Sequence, residues 1–138
     1  MSVIETNNLQ KRYQVGENSV HAVDGVDLNI REGEFVCISG RSGSGKSTLL
    51  SLLAGLESPT DGEVILMGEH LEQMNEQERG RFRRDHIGFI FQAYNLLPQF
   101  SSWENVAVPL EIRGVPLEQR REKAMEALEM VGLRDHAE

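Results

Sequence analysis

One stretch of this chain has the residue types and spacing to hold an anion. Gly40-Arg41-Ser42-Gly43-Ser44-Gly45-Lys46-Ser47 satisfies the pattern G-x-x-x-x-G-K-[ST], with Thr48 directly behind it. Glycines let a backbone curl until successive N–H groups converge on one point, which is how a loop cradles phosphate oxygens. Lys46 adds a mobile positive charge for the outer phosphates, and charge-assisted contacts are the stronger kind. Ser47 offers a hydroxyl to a Mg²⁺ ion carried with them. These residues predict a site for the phosphates of a nucleotide, Mg-ATP first among them. The site is formed by Gly40, Ser42, Gly43, Ser44, Gly45, Lys46, Ser47 and Thr48. The motif alone leaves the reaction open, because kinases, GTPases and motor ATPases all use it.

Such a loop works only between a strand and a helix, and both flanks read that way. Phe35-Val36-Cys37-Ile38 is a short continuous apolar run, expected as a strand covered on both faces. Leu49, Leu50, Leu52, Leu53 and Leu56 crowd the segment behind the loop, expected as a buried helix ending near Gly55. The helix would aim its positive N-terminal end at the same anion. Upstream, Val26, Leu28 and Ile30 alternate with Asp27 and Asn29, the period of a half-buried strand, and Glu32-Gly33-Glu34 makes a turn. Ser58-Pro59-Thr60-Asp61-Gly62 is a turn cluster, and a strand is expected over Val64-Ile65-Leu66-Met67. Residues 75 to 85 read as a polar helix. Ile87-Gly88-Phe89-Ile90-Phe91 reads as a second fully buried strand, followed by a loop from Gln92 to Ser101. Ser102 is placed to cap a helix towards Arg113, which Gly114-Val115-Pro116 ends. A last helix is expected from Leu117 to Val131, with Ala124, Leu128 and Val131 on one face and Gly132 as its stop.

Bulk composition narrows the function classes. Acidic residues outnumber basic ones, 22 to 14, for a net charge of −8. Broad nucleic-acid binding needs the opposite sign, so no nucleic-acid partner is expected. Cys37 is the single cysteine, which fits a reducing compartment and excludes an intrachain disulfide. Beside the loop it reads as an inert core residue. No apolar run reaches the length of a membrane span, and Met1 to Glu5 has no signal-peptide pattern, so a cytoplasmic location is expected. Arg79, Arg81, Arg83 and Arg84, diluted by Glu76, Glu78 and Asp85, read as a solvated helix face. His21, His70, His86 and His136 show no ligand spacing, so the one metal expected is the Mg²⁺ that arrives with ATP.

Three further stretches resemble the nucleotide-binding domain of an ABC transporter. About forty residues of strand-forming sequence precede the loop, with Lys11-Arg12-Tyr13 where such domains carry an aromatic that stacks on adenine. Gly55-Leu56 and Pro59-Thr60-Asp61-Gly62-Glu63-Val64 resemble the turn and strand behind the P-loop helix. Ile87-Gly88-Phe89-Ile90-Phe91-Gln92 resembles the strand that ends in the Q-loop glutamine. Asn95-Leu96-Leu97-Pro98 and Trp103-Glu104-Asn105-Val106 are similar to the group that serves lipoprotein release and macrolide efflux.

The resemblance implies an α/β P-loop NTPase fold, a truncated RecA-like core with an N-terminal antiparallel β subdomain and the start of a helical subdomain. The whole chain, 1–138, would be part of one ATP-binding domain. About residues 1–92 would form the β subdomain and P-loop core, and about 93–138 the Q-loop and the start of the helical part. It also implies Lys46 and Gln92 as catalytic residues, Ser47 and Gln92 on Mg²⁺, and Tyr13 against the adenine ring. The implied partners are transmembrane permease subunits, met through the Q-loop region, and a second ATP-binding domain. The implied location is the cytoplasmic face of the inner membrane. Such domains continue with an LSGGQ signature, an Asp-Glu pair and a switch histidine, none of which occurs in these residues. The expectation is an N-terminal part of a longer domain that binds ATP without turning it over. Phe35 to Ile38 and Ile87 to Phe91 should then have unpaired edges. A P-loop kinase and a catalytically incomplete nucleotide-binding remnant are the alternatives.

Overall fold

The computed structural model describes all residues, 1–138. The chain divides into two compact units, Met1–Ile87 and Gly88–Glu138. The first unit is built on two long strands, β1 (Ser2–Val15) and β2 (Asn18–Arg31), joined by a tight turn at Gly16-Glu17 and paired antiparallel. Strand β3 (Asp61–Leu66) pairs with the other edge of β1, and the two-residue β4 (Glu69–His70) pairs with β3. The sheet order is β2-β1-β3-β4, every pair antiparallel. The predicted alternation holds on β2, where Val26, Leu28 and Ile30 are half-buried between exposed Asp27 and Asn29.

One face of the sheet carries the core. Leu9, Val23, Val64 and Leu66 pack with Leu52 and Leu53 of helix α1 (Lys46–Leu53) and with Leu71, in the short helical turn behind β4. Thr6 is the one buried polar residue, and its hydroxyl both donates and accepts. It donates to the Val26 carbonyl at 2.9 Å and accepts from the Leu28 N–H at 2.9 Å, bridging an irregularity in the β1–β2 ladder. Gly62 lets β3 begin beside β1. Its φ is +78°, and a Cβ there would lie 2.3 Å from the Asn8 carbonyl oxygen.

Helix α2 (Glu76–His86) starts at Asn75, whose side chain accepts from the Gln77 and Glu78 amides while Glu78 accepts from the Asn75 amide. The arginine cluster departs from the expected solvated face. Arg83 donates to the Gly55 carbonyl at 2.6 Å, and Arg79 bonds the Ser58 hydroxyl. Two of the four arginines therefore fasten α2 to the carboxyl end of α1, where a cation also meets the negative end of the helix dipole.

Phe35–Ile38 and Ile87–Phe91 form no ladder. Phe35 is 97% exposed and Ile90 98%, against the expectation of strands covered on both faces. A parallel-type strand is covered only when neighbours take both its edges and other elements lie on its faces. No strand among these residues pairs with either segment, so the expected incomplete pairing is what the structure has. Cys37, expected in a core, is exposed for the same reason. Ile38 alone of its run packs against the core.

The second unit contains α3 (Ser102–Ile112) and α4 (Leu117–Met130), which pack through Ala107, Ala124 and Leu128. The cap of α3 is Ser101, not Ser102. Glu104 accepts from both the Ser101 amide, at 2.8 Å, and its hydroxyl, at 3.0 Å. Asn105 ties the preceding loop to α3. Its Oδ1 accepts from the Leu97 amide, and its Nδ2 donates to the carbonyls of Leu97, Phe100 and Ser101. Helix α4 ends one residue early, and Val131, expected on its buried face, is 67% exposed, since Gly132 turns the chain away with φ +71°. No helix is long and apolar enough to cross a membrane.

Candidate functional site

Helix α1 differs from α2 and α3 in how it starts. Asn75 caps the free amides of α2, Glu104 binds the Ser101 amide at the start of α3, and α4, without a capping side chain, has Glu118 in its first turn, whereas α1 begins at Gly45 with neither a capping side chain nor an acidic residue in its first turn. The first-turn amides of a helix have no partner within the helix, and uncapped they are donors for an external anion. Gly45 itself has φ +86°. A Cβ at this position would lie 1.9 Å from the carbonyl oxygen of Ala22, on β2. The loop is thus pressed backbone to backbone against β2, and only glycine fits there. Gly40 is tight too, since a Cβ there would lie 2.6 Å from the Ser44 hydroxyl oxygen. Gly43 has φ +78° but open space around it.

Lys46 folds back over this loop. Its ammonium donates to the Gly40 carbonyl at 2.9 Å, the Arg41 carbonyl at 2.8 Å and the Ser44 hydroxyl at 3.4 Å. The charge meets only neutral oxygens of its own loop, for which an anionic oxygen would be the stronger partner. Ser47 is exposed at the helix start. Between the loop and β2 lies a groove of about 390 Å³, lined by Ala22, Val23 and Asp24 on one side and Gly40, Ser44 and Lys46 on the other. A neighbouring hollow of about 240 Å³ is bounded by Val20, His21 and the run from Gly43 to Thr48.

The structure brings Tyr13 of β1 to the same helix. Its hydroxyl donates to Glu57 Oε2 at 2.7 Å, and the Lys11 ammonium stands 5.2 Å from the ring centroid. Burial holds its pKa above the ordinary phenol value, and the bond to the Glu57 carboxylate adds to that, while a bond with Thr48 acts the other way. The ring is thus fixed beside the first turn of α1. Gln92 belongs to the second unit, where it is exposed at the start of an irregular loop. That loop also exposes Tyr94, Leu96, Leu97 and Phe100.

Sequence reasoning missed two parts of this site and one cluster elsewhere in the first unit. It did not find Ala22 and its neighbours on β2 as the wall facing the loop, nor Glu57 as the anchor of Tyr13. No local pattern marks them, since both contacts depend on how β1, β2 and α1 stack. It also set His70 aside for lack of ligand spacing, whereas folding brings His70 beside Glu63 and Glu72.

The residues fit a magnesium nucleotide: an uncapped helix start, a glycine-rich loop in which Gly45 admits no side chain, an ammonium without a carboxylate partner and a free hydroxyl. Comparison with known proteins gives the family. The ABC transporter family profile matches residues 23–138. The chain is 41% identical over 139 residues to the ABC transporter ATP-binding protein YtrE of Bacillus subtilis, covering 98% of this chain and 60% of that protein. It is 47% identical over 133 residues to the lipoprotein-releasing system ATP-binding protein LolD of Psychrobacter arcticus, covering 96% and 59%. It superposes on the ATP-binding cassette MJ0796 in a dimeric post-hydrolysis state bound to ADP and Pi, with a TM-score of 0.92 and 41% identity, over 97% of this chain and 60% of that one. The chain spans about 60% of the length of these relatives.

Proposed function

This chain belongs to the ABC transporter family, and we propose that it is the nucleotide-gripping part of a transporter's ATP-binding subunit, taking Mg-ATP on the loop from Gly40 to Thr48. The observation that carries the reading is the Gly45–Ala22 approach, which sets the loop against β2 and leaves the uncapped start of α1 facing outward. In this role Lys46 leaves the carbonyls of Gly40 and Arg41 for the outer phosphates, and the loop amides hold the inner ones. Gly40, Ser42, Gly43, Ser44 and Gly45 keep the cradle free of bulk. The Ser47 hydroxyl would hold Mg²⁺, which when bound supplies positive charge to the phosphate oxygens. Tyr13 would offer its ring to the adenine, with Glu57 fixing the hydroxyl so that the ring needs little ordering on binding.

Hydrolysis, coupling and assembly concern the longer protein. There, residues up to about 92 would bind nucleotide, and Gln92 would report its state to a permease through the loop that exposes Leu96, Leu97 and Phe100. Apolar loops of this kind mark interfaces. A second ATP-binding domain would close over the phosphate loop, as the dimeric MJ0796 relative suggests, at the cytoplasmic face of the membrane. Phosphoryl transfer to water needs that water positioned and the developing charge met. Lys46 supplies part of the charge, but these 138 residues contain no Asp-Glu pair at the end of an apolar strand. These residues should therefore bind without turnover. Nucleotide titration with a parallel phosphate-release assay tests this. Binding without release is the expected result, and Lys46-dependent turnover or no binding would refute it.

A further inference from the structure

We propose that Glu63, His70 and Glu72 form a binding site for a divalent transition-metal ion of zinc's class, using none of the residues of the nucleotide loop. The three come from β3, β4 and the helical turn behind β4. His70 Nδ1 lies 3.0 Å from Glu63 Oε2 and 3.8 Å from Glu72 Oε1, and one ligand atom from each residue lies within 4.8 Å of the others. A tetrahedral ion with bonds of about 2.0–2.2 Å needs its ligand atoms roughly 3.3–3.6 Å apart, so side-chain adjustments of under about an ångström close the site.

The alternative is a plain histidine–carboxylate hydrogen bond, and the geometry weighs against it as a full account. One ring nitrogen faces two carboxylates and can bond only the nearer. The Glu72 oxygen at 3.8 Å is beyond hydrogen-bond reach. The ion pairs of both glutamates are to this one imidazole. A cation satisfies both carboxylates and the ring lone pair together.

Both carboxylates are also held from outside the cluster. Asn7 Nδ2 donates to Glu63 Oε1 at 2.7 Å, and the Val64 amide donates to Glu72 Oε2 at 3.1 Å. In each case the other oxygen is left facing His70, as outer hydrogen bonds do for metal-ligating carboxylates. The supports are rigid, because Asn7 pairs with Glu63 across β1–β3 and His70 with Ile65 across β3–β4, while buried Leu71 separates the other two ligands. Glu72 is exposed and Glu63 and His70 are half-buried, so an ion reaches the cluster from solvent and water can complete its coordination. One imidazole with two carboxylates suits zinc better than calcium or magnesium, which prefer all-oxygen sites.

The test is calorimetric titration of the full chain with zinc chloride, without nucleotide. Every protein carries Cys37→Ser, because the exposed thiol is itself a zinc ligand. One saturable zinc per chain is expected. His70→Gln should remove it, and Asn7→Ala should lower the affinity about tenfold, the low end for losing an outer-shell partner. His21→Ala and His136→Ala should leave it unchanged. Cobalt in place of zinc should give the strong visible bands of a four-coordinate site, absent in His70→Gln. No saturable binding, or zinc retained by folded His70→Gln, would overturn the proposal. If His70→Gln loses its circular dichroism, Glu72→Gln and Asn7→Ala decide: weakened binding supports the site and wild-type binding overturns it.

Discussion

Replacing Gly45 by alanine should cost more than replacing Gly43, although both have positive φ. At Gly43, with φ +78° and nothing within 4 Å, the added methyl meets only the intrinsic penalty of the left-handed region, about 1–2 kcal/mol. Gly45, with φ +86°, bears the same penalty, but its methyl would also sit 1.9 Å from the Ala22 oxygen, where ordinary contact begins near 3.4 Å. The obstacle is backbone carbonyl within a paired strand, so it cannot swing aside as a side-chain tip would. Either the loop lifts from β2 or β2 bends, and overpacking of this sort costs typically about 1–3 kcal/mol more. Urea unfolding of the two variants beside the wild type measures the difference directly. The expected order is wild type, Gly43→Ala, Gly45→Ala, with the second gap at least as large as the first. Lifting the loop also removes the groove wall, so Gly45→Ala should lose MgATP binding even where it remains folded. Equal unfolding free energies for the two variants would refute the Ala22 contact and the placement of the loop that rests on it.

Tyr13→Ala should weaken nucleotide binding by about 1–3 kcal/mol, the worth of base stacking on an aromatic side chain. Tyr13→Phe should keep the affinity and lose about 0.5–1.5 kcal/mol of stability with the bond to Glu57. Equal affinities for all three proteins would take Tyr13 out of the site. Glu104 has its pKa lowered from about 4.5, first by the Ser101 amide and then by the Ser101 hydroxyl. A carboxylate with a depressed folded pKa contributes stability above its unfolded pKa and loses it as pH falls through the folded one. Glu104→Gln should therefore destabilise the chain at pH 7 but have little effect in acid below the depressed pKa, and a pH-independent difference in urea midpoint would contradict this. Cysteine at Leu97, within the longer assembled protein, should cross-link to a cytoplasmic loop of a permease, and failure at every such loop would count against the proposed docking surface.

Local chemistry made much of this molecule legible. The glycine spacing from 40 to 45 announced a curled backbone, and the structure has the positive φ values at Gly43 and Gly45 that such a curl requires. The alternation on Val26, Leu28 and Ile30 and the helix stop at Gly132 likewise depend on residues close in sequence. What the sequence did not disclose depends on stacking over long separations. Ala22 walls the loop because β2 passes Gly45, and Glu57 reaches Tyr13 across 44 residues. Arg83 looked like a surface charge until α2 came to lie by the end of α1. The runs at Phe35 and Ile87 misled in another way. Their apolar character suits strands with neighbours on every side, and no strand of this chain supplies one.

The most direct test of the central claim is calorimetric titration of MgATP into the wild-type chain and its Lys46→Ala variant. The Lys46 ammonium now rests on the carbonyls of Gly40 and Arg41, so its removal takes away a charge meant for phosphate while leaving the buried core untouched. The prediction is saturable binding of one nucleotide per wild-type chain and no measurable binding to a variant with unchanged circular dichroism. Equal binding by the two proteins would contradict the assignment of this loop to nucleotide phosphates.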